Sequence, residues 1–276
     1  MDSPTVLCRV LGPIVVEIDG VPAELGGPRS RRALSALSAA DGAVVPDEYL
    51  IEQIWGDVPP GNVTSALRGI IWRLRAALGP QVGPRYLRRG AGGYALVIPG
   101  PLIDHRQLAS RVAGAMRHLD DGHPSWAATD LAAAVALWRG EPWEELGPAP
   151  ELIGIRAHLA ELHDVAVEEL QAARLALDDP AHAGPETARA IAALAEAVVA
   201  TPYRERRWEL LALALYRSGR QTEALAALRG IHERLIDDIG IEPRLSLRTL
   251  EHRILRQDPD LLLPAPVRAA RQHNDR

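Results

Sequence analysis

The stretch Asn62-Val63-Thr64-Ser65-Ala66-Leu67-Arg68-Gly69-Ile70-Ile71-Trp72-Arg73-Leu74-Arg75-Ala76-Ala77-Leu78 decides how this chain is read. At about 100° per residue, Val63, Leu67, Ile70, Ile71, Leu74 and Leu78 gather on one side of a helix, and Ser65, Arg68, Gly69, Trp72 and Ala76 point the other way. Arg73 and Arg75 flank the outward strip. Pro60 and an Asn62 cap mark the start, and Gly79-Pro80 the stop. A helix of this length is about 25 Å long, enough to lie in a DNA major groove.

The charge around this helix is placed rather than general. From Val58 to Ile103 the chain has six arginines, Arg68, Arg73, Arg75, Arg85, Arg88 and Arg89, and no Asp or Glu, although the formal net charge of the whole chain is -5. Clearing acids from a helix and the segment after it suits a polyanionic partner; the plainer alternative is a solvated basic face with no partner.

A chain of 276 residues allows two domains. Hydrophobic residues make up 47%, yet Phe is absent and aromatics are only 4%, so Ala and Leu must fill the core, which favours close-packed helices. Every basic residue other than His is Arg, so any phosphate contact falls to planar guanidinium groups. The single Cys8 excludes an intramolecular disulfide and lies in a strand-like run, as an inert packed thiol would. With no leader-like start, a reducing, soluble, cytoplasmic setting is expected, with no membrane partner.

Working outward, Val6–Leu11 and Ile14–Ile18 read as strands, with Asp19-Gly20 a tight turn into Val21–Leu25. Arg29–Ala40 is predicted as an amphipathic helix, Leu34 and Leu37 inward, whose Arg29, Arg31 and Arg32 are candidate phosphate or partner contacts, or an ordinary exposed face. Asp47–Trp55 is a second short helix, and Gly56-Asp57-Val58-Pro59-Pro60-Gly61 a loop. Three helices with short connections, the third basic, suit a helix-turn-helix derivative. After them, Arg85–Arg89 and Tyr94–Ile98 read as a β-hairpin whose tip, Gly90-Ala91-Gly92-Gly93, can approach a nucleic-acid backbone. The glycine run lacks the Lys-Ser/Thr and the following helix of a nucleotide loop.

Beyond Pro99-Gly100-Pro101 the chain is predicted almost wholly helical: 104–121, 125–138, 151–177, 185–200, 203–218, 221–237 and 244–257. Trp208, Leu211, Ala212, Gly219, Ala224, Leu228 and Ile231 fall at spacings resembling a tetratricopeptide repeat, and Gly122, Ala127, Leu131 and Ala134 reproduce the last four. A third unit is expected around Ala188, Ala192 and Ala195. The expected fold class is mainly α with a small N-terminal β portion, a winged helix-turn-helix (1–100) followed by a tetratricopeptide-like domain (101–259), then a disordered tail (260–276).

Arg73-Leu74-Arg75 with Ala77-Leu78-Gly79, the preceding Trp55-Gly56-Asp57-x-Pro59-Pro60 and the following Arg89-Gly90-x-Gly92-Gly93-Tyr94 resemble the Streptomyces antibiotic regulatory protein family. So do Leu137–Pro142, Asp238–Pro243 and Ile254–Pro259. The resemblance implies a winged helix of the response-regulator type, the 88–94 hairpin as its wing, joined to a bacterial transcriptional activation domain. It further implies an activator of antibiotic biosynthesis genes that binds promoter direct repeats as two or more protomers. The same resemblance implies contact with RNA polymerase holoenzyme (sigma and other subunits), partly through Trp55, Gly56, Asp57, Val58, Pro59 and Pro60. On DNA, Arg68 and Trp72 would lie nearest base edges, Thr64, Ser65, Arg73 and Arg75 nearer phosphates, and Arg88 and Arg89 on backbone or minor groove. If the arginines neutralise about four to six phosphates, the slope of log affinity against log salt is about -4 to -5. Gly69 and Trp72 depart from the family pattern, and Trp72 reads either as a base-methyl contact or as part of a protein interface.

Nothing argues for catalysis, a metal or a cofactor. His158 and His163 do not share a helix face, no serine sits in a nucleophile elbow, and Glu144-Glu145, Glu168-Glu169 and Asp237-Asp238 read as solvated faces. The alternative function, from another class, is a helical-repeat scaffold for a protein partner with a weak or inactive DNA-binding half.

Overall fold

The computed structural model describes residues 4–262. Strands β1 (Val6–Arg9), β2 (Val15–Ile18) and β3 (Val21–Pro22) form an antiparallel sheet in that order, with Val6, Cys8 and Val16 on its buried face. Ile18 pairs with Val21 across Asp19 and Gly20, whose φ values of 52° and 79° make the two-residue turn the strand twist prefers. Cys8 is fully buried, and desolvation pushes its thiol up to about 12.

Helices α1 (Pro28–Ala39), α2 (Asp47–Trp55) and α3 (Val63–Ala77) follow, with the two-residue strand β4 (Val45–Pro46) between the first two. Leu34, Leu37, Leu50, Ile54, Leu67, Ile70, Ile71 and Leu74 bury the apolar stripes of all three helices. A fourth helix, α4 (Gly79–Tyr86), corrects the sequence expectation that Arg85 and Tyr86 open the hairpin. Gly79 takes a φ of 77° and Pro80 sits in the first turn of the next helix, so the pair that ends α3 also begins α4. The hairpin itself is β5 (Leu87–Gly90) and β6 (Gly93–Leu96), and β4 pairs with β6 to give the order β4-β6-β5.

The chain past β1 needs backbone partners, and residues far along the sequence supply them. The Asp104 carboxylate, fully buried, accepts the Val10 N–H at 2.9 Å and the Leu11 N–H at 3.0 Å. Burial pushes its acid pKa up, against the pull of those donors and of Arg139. The Val10 and Leu11 carbonyls accept the N–H groups of Trp143 (2.9 Å) and Arg139 (2.8 Å), and Glu145 accepts the Ile14 N–H (2.7 Å) and the Ser35 hydroxyl (2.9 Å). Glu145 is therefore a structural acceptor, not a solvated charge. Trp143 is buried with its indole N–H on Ser38 Oγ at 3.0 Å, and Arg156 donates to the carbonyls of Pro142, Trp143 and Gly147 at 2.8–2.9 Å.

Two compact units result. The first comprises the described residues up to Ser110 with Ala134–His163; the second comprises Arg111–Ala133 with the described residues from Asp164 on. The proline pair at 99–101 thus lies inside the first unit, where Gly100–Leu102 makes a 3-10 turn.

The remaining helices are α5 (Asp104–Asp120), α6 (Pro124–Val135), α7 (Ile153–Leu175), α8 (Pro185–Ala200), α9 (Glu205–Arg217), α10 (Gln221–Arg234) and α11 (Leu245–Leu255). The matched spacings correspond to matched turns. Gly122 and Gly219 take φ values of 78° and 74°, His123 N–H bonds His118 O, and Arg220 N–H bonds Leu215 O, the six-to-one closure that lets a helix stop at glycine. Ala127, Leu131 and Ala134 are buried, as are Ala224, Leu228 and Ile231. In α8 the inward residues are Thr187, Ala190, Leu194 and Val198, whereas Ala188, Ala192 and Ala195 are exposed, so the expected third unit is off by a helix face. Helix α6 ends before the expected Trp138, whose ring leaves the helix to stack on His163 at 4.7 Å.

Glu168, expected on a solvated face, is buried beside Arg204 (2.6 Å) and Arg207 (3.3 Å), and Asp164 lies 2.5 Å from Arg207. The tail begins later than Asp260, because Pro259–Leu262 forms a 3-10 turn with Leu261 buried; the rest of the expected disorder lies outside the described residues.

His105 gives this fold a pH dependence. Its ring packs 5.5 Å from Trp143, and burial lowers its pKa from 6.5 to about 4. The folded state holds it neutral, so its contribution is present above pH 6.5 and is lost as pH falls toward 4. Urea unfolding of the full chain should lose about 2 kcal/mol more between neutral and acid conditions than the same measurement on His105→Gln. Equal losses would remove His105 from the account.

Candidate nucleic-acid interface

Helix α3 begins where the Asn62 side chain accepts the Ser65 N–H at 3.2 Å, and its buried face is Leu67, Ile70, Ile71 and Leu74. That packing fixes the opposite face outward. Thr64, Ser65, Arg68, Trp72, Arg73 and Ala76 are exposed, with Trp72 at 70%. Among the described residues no acidic side chain forms an ion pair with Arg68, Arg73, Arg85 or Arg88. These four are free cations on one unit.

The other two arginines of the acid-free stretch are used internally. Arg75 is half-buried; its Nε–H donates to Leu87 O at 2.9 Å and its guanidinium lies 6.0 Å from the Tyr94 ring, tying α3 to the hairpin. It sits off the outward strip and serves the fold. Arg89 is held by two 2.8 Å bonds to Asp47 and lies 4.5 Å from the centre of Tyr94. The Asp47 hydrogen bond raises its pKa, and its charge is already paired at the start of α2. Sequence reading missed this because Asp47 precedes the acid-free stretch and only the β4-β6 pairing brings it to the hairpin.

The glycine run divides in the same way. A Cβ on Gly93 would lie 1.9 Å from Val45 O, and one on Gly90 2.5 Å from Val44 Cγ2, so these glycines admit the neighbouring strand. Gly92, with φ 73°, makes the turn, and only Ala91 and Gly92 are exposed at the tip. The close approach foreseen for a nucleic-acid backbone is largely to the protein's own backbone. Arg88 remains exposed on β5, its Nε–H on Arg85 O at 2.7 Å.

Around α1, Arg29 and Arg31 are exposed, whereas Arg32 is half-buried with its guanidinium 3.4 Å from Leu146 O. All three share a groove with Glu144 and Glu145, which offsets their charge. In the loop after α2, Gly56 N–H bonds Glu52 O at 2.7 Å and Val58 N–H bonds Trp55 O at 3.3 Å. Trp55 is half-buried; Gly56, Asp57, Val58, Pro59 and Pro60 are exposed, Val58 at 80%. Among the described residues no group of three His, Cys, Asp or Glu side chains gathers as a metal would require, and no helix is long and apolar enough to cross a membrane.

Residues 103–255 match the bacterial transcriptional activator domain. The chain is similar to regulatory protein AfsR of Streptomyces coelicolor (36% identical over 255 residues, 91% of this chain and 24% of that one). It is also similar to transcriptional regulator RedD of the same species (32% identical over 263 residues, 94% of this chain and 73% of that one). The chain therefore spans about a quarter of AfsR. Among solved structures it superposes on Mycobacterium tuberculosis EmbR in complex with a low-affinity phosphopeptide, with a TM-score of 0.78 and 29% identity, covering 94% of this chain and 67% of that one. The likeness agrees with the winged helix and helical repeats described above.

The two glycine roles in the hairpin can be told apart. Gly93→Ala should destabilise the first unit by about 3 kcal/mol, since backbone must move, and Gly92→Ala by about 1 kcal/mol, the cost of a positive φ. Urea unfolding of the two variants checks the order, and a milder Gly93→Ala would contradict the close approach to Val45.

Proposed function

The chain belongs to the Streptomyces antibiotic regulatory protein family of transcription regulators, and from that premise we propose that it is a sequence-specific activator that binds double-stranded promoter DNA through α3 and the hairpin. The observation that carries this is the outward face of α3, exposed, free of acids and bearing Arg68 and Arg73 with no ion-pair partner among the described residues. Helix α3 enters the major groove, with Arg68 and Trp72 toward the bases and Thr64, Ser65 and Arg73 toward phosphates. Arg88 holds the adjacent backbone from the wing. Arg75 and Arg89 support this surface from behind, Arg75 through Leu87 O and Arg89 through Asp47.

Two or more protomers sit on direct repeats, and the bound protein recruits RNA polymerase to genes of a secondary-metabolite cluster. The exposed loop Trp55–Pro60 supports such a contact from the first unit. The exposed apolar run Ile236, Ile239, Ile241 and Leu245 supports one from the second. The AfsR and RedD likenesses support the promoter setting, and it is for promoter DNA beside the chain's own gene that footprinting should show protection.

Salt dependence tests the electrostatics. Four free guanidinium groups predict a log–log slope of about -3.6 per protomer, shallower than six would give. Arg68→Ala and Arg73→Ala should each weaken binding. Arg73→Ala should make the slope shallower by about 0.9, whereas Arg75→Ala should lower stability with the slope nearly kept. A slope near zero, or full binding by the Arg68/Arg73 double variant, would refute the assignment.

A further inference from the structure

We infer that Gly69, Trp72 and Ala76 form a thymine-reading surface, in which the Trp72 indole packs on the 5-methyl group of a thymine in the major groove and Gly69 lets the helix come close enough for it to do so. The inference rests on the DNA-binding proposal and adds the chemical class of base that α3 selects.

Three observations converge on it. Trp72 is 70% exposed on the face of α3 turned away from Leu67, Ile70, Ile71 and Leu74, and among the described residues it is the one large apolar side chain exposed on that helix. A lone indole is a poor core for a protein interface, which needs a cluster of buried apolar anchors. Its neighbours on the outward face are the exposed Arg68, Arg73 and Ala76 and the half-buried Gly69, with no acid from Val58 to Ile103 and with Arg75 turned away to Leu87 O. An aromatic ring bordered by guanidinium groups matches a surface that is anionic at its rim and offers apolar methyl groups on its floor, which is the major groove over thymine.

Gly69 supplies the third observation. A Cβ there would meet only the tip of the Arg73 side chain, at 3.5 Å, which is ordinary contact. Its backbone has no positive φ. Neither packing nor conformation of the free protein calls for glycine, and mid-helix glycine is costly relative to alanine. The missing side chain leaves backbone beside Trp72 that only the movable tip of Arg73 overlies, and with Ala76 on the next turn the indole stands above a strip of small residues. A partner that approaches that strip closely is what glycine accommodates.

The test uses the full chain and DNA duplexes it selects from a random-sequence library. Each thymine of a selected duplex is replaced in turn by uracil, which removes only the 5-methyl group. At one or more positions the replacement should weaken wild-type binding about fivefold. Trp72→Ala should bind the methylated duplex about fivefold more weakly and lose the further sensitivity to uracil, and Trp72→Phe should keep it. Gly69→Ala should raise the thermal midpoint by about 2 °C yet weaken DNA binding about tenfold. The same uracil profile in Trp72→Ala as in the wild type, or undiminished affinity in Gly69→Ala, would overturn the inference and leave DNA binding intact. Failure to select any duplex would overturn the DNA-binding proposal and this inference with it.

Discussion

Everything in the first unit depends on where the backbone between β1 and β2 finds its hydrogen-bond partners. Val10 and Leu11 are fully buried, and the β1–β2 pairing ends at Arg9, short of their N–H groups. An unpaired buried amide costs about 1–3 kcal/mol. One carboxylate, Asp104, accepts both, and the loop Arg139–Trp143 closes the other edge. Arg156 then gathers two carbonyls of that run, Pro142 and Trp143, with that of Gly147 beyond it, so its guanidinium holds the loop that faces Val10 and Leu11. With the sheet anchored, α1 lies against Trp143 through Ser38, and α2 and α3 complete the apolar centre. The outward direction of Trp72 and Arg68 follows from that chain of constraints.

Electrostatics on the same unit is decided by which guanidinium groups are satisfied at home. Arg75 and Arg89 both lie over Tyr94 and are spent on holding the hairpin to α3 and α2. Arg68, Arg73, Arg85 and Arg88 have no ion-pair partner among the described residues and stand exposed, where an external anion can reach them. Counting arginines alone overstates that charge by two, Arg89, which Asp47 pairs, and Arg75, which is turned to Leu87 O and Tyr94.

Periodicity made most of the helices legible, because an apolar stripe at helical spacing has one face to bury. The α2 and α8 boundaries agree with the structure to the residue. Strand pairing between distant segments left little local trace: β4 is two residues long, and nothing near Val45 announces that it pairs with Tyr94. The α4 helix was hidden by reading Gly79-Pro80 only as an end, when proline after a left-handed glycine is also a good start. The outward residues of α3 were legible for the same reason as its core. The internal duties of Arg75, Arg89, Gly90, Gly93, Glu145 and Glu168 were not, since each has its partner far away in sequence or on another element.

The bond between Asp104 and Val10 joins residues 94 apart, and Arg156 lies farther still. By contrast, the turns at Gly122 and Gly219 close within six residues. Synthesis runs from the N-terminus at a finite rate, so these distances become times. The strands and α1 to α3 emerge first but wait, the Val10 and Leu11 N–H groups until Asp104 has left the ribosome and their carbonyls until Arg139 and Trp143 have followed. A nascent or prematurely terminated chain therefore holds α3 on an unfinished scaffold, and the α3 surface matures only after part of the segment that matches the activator domain has been made.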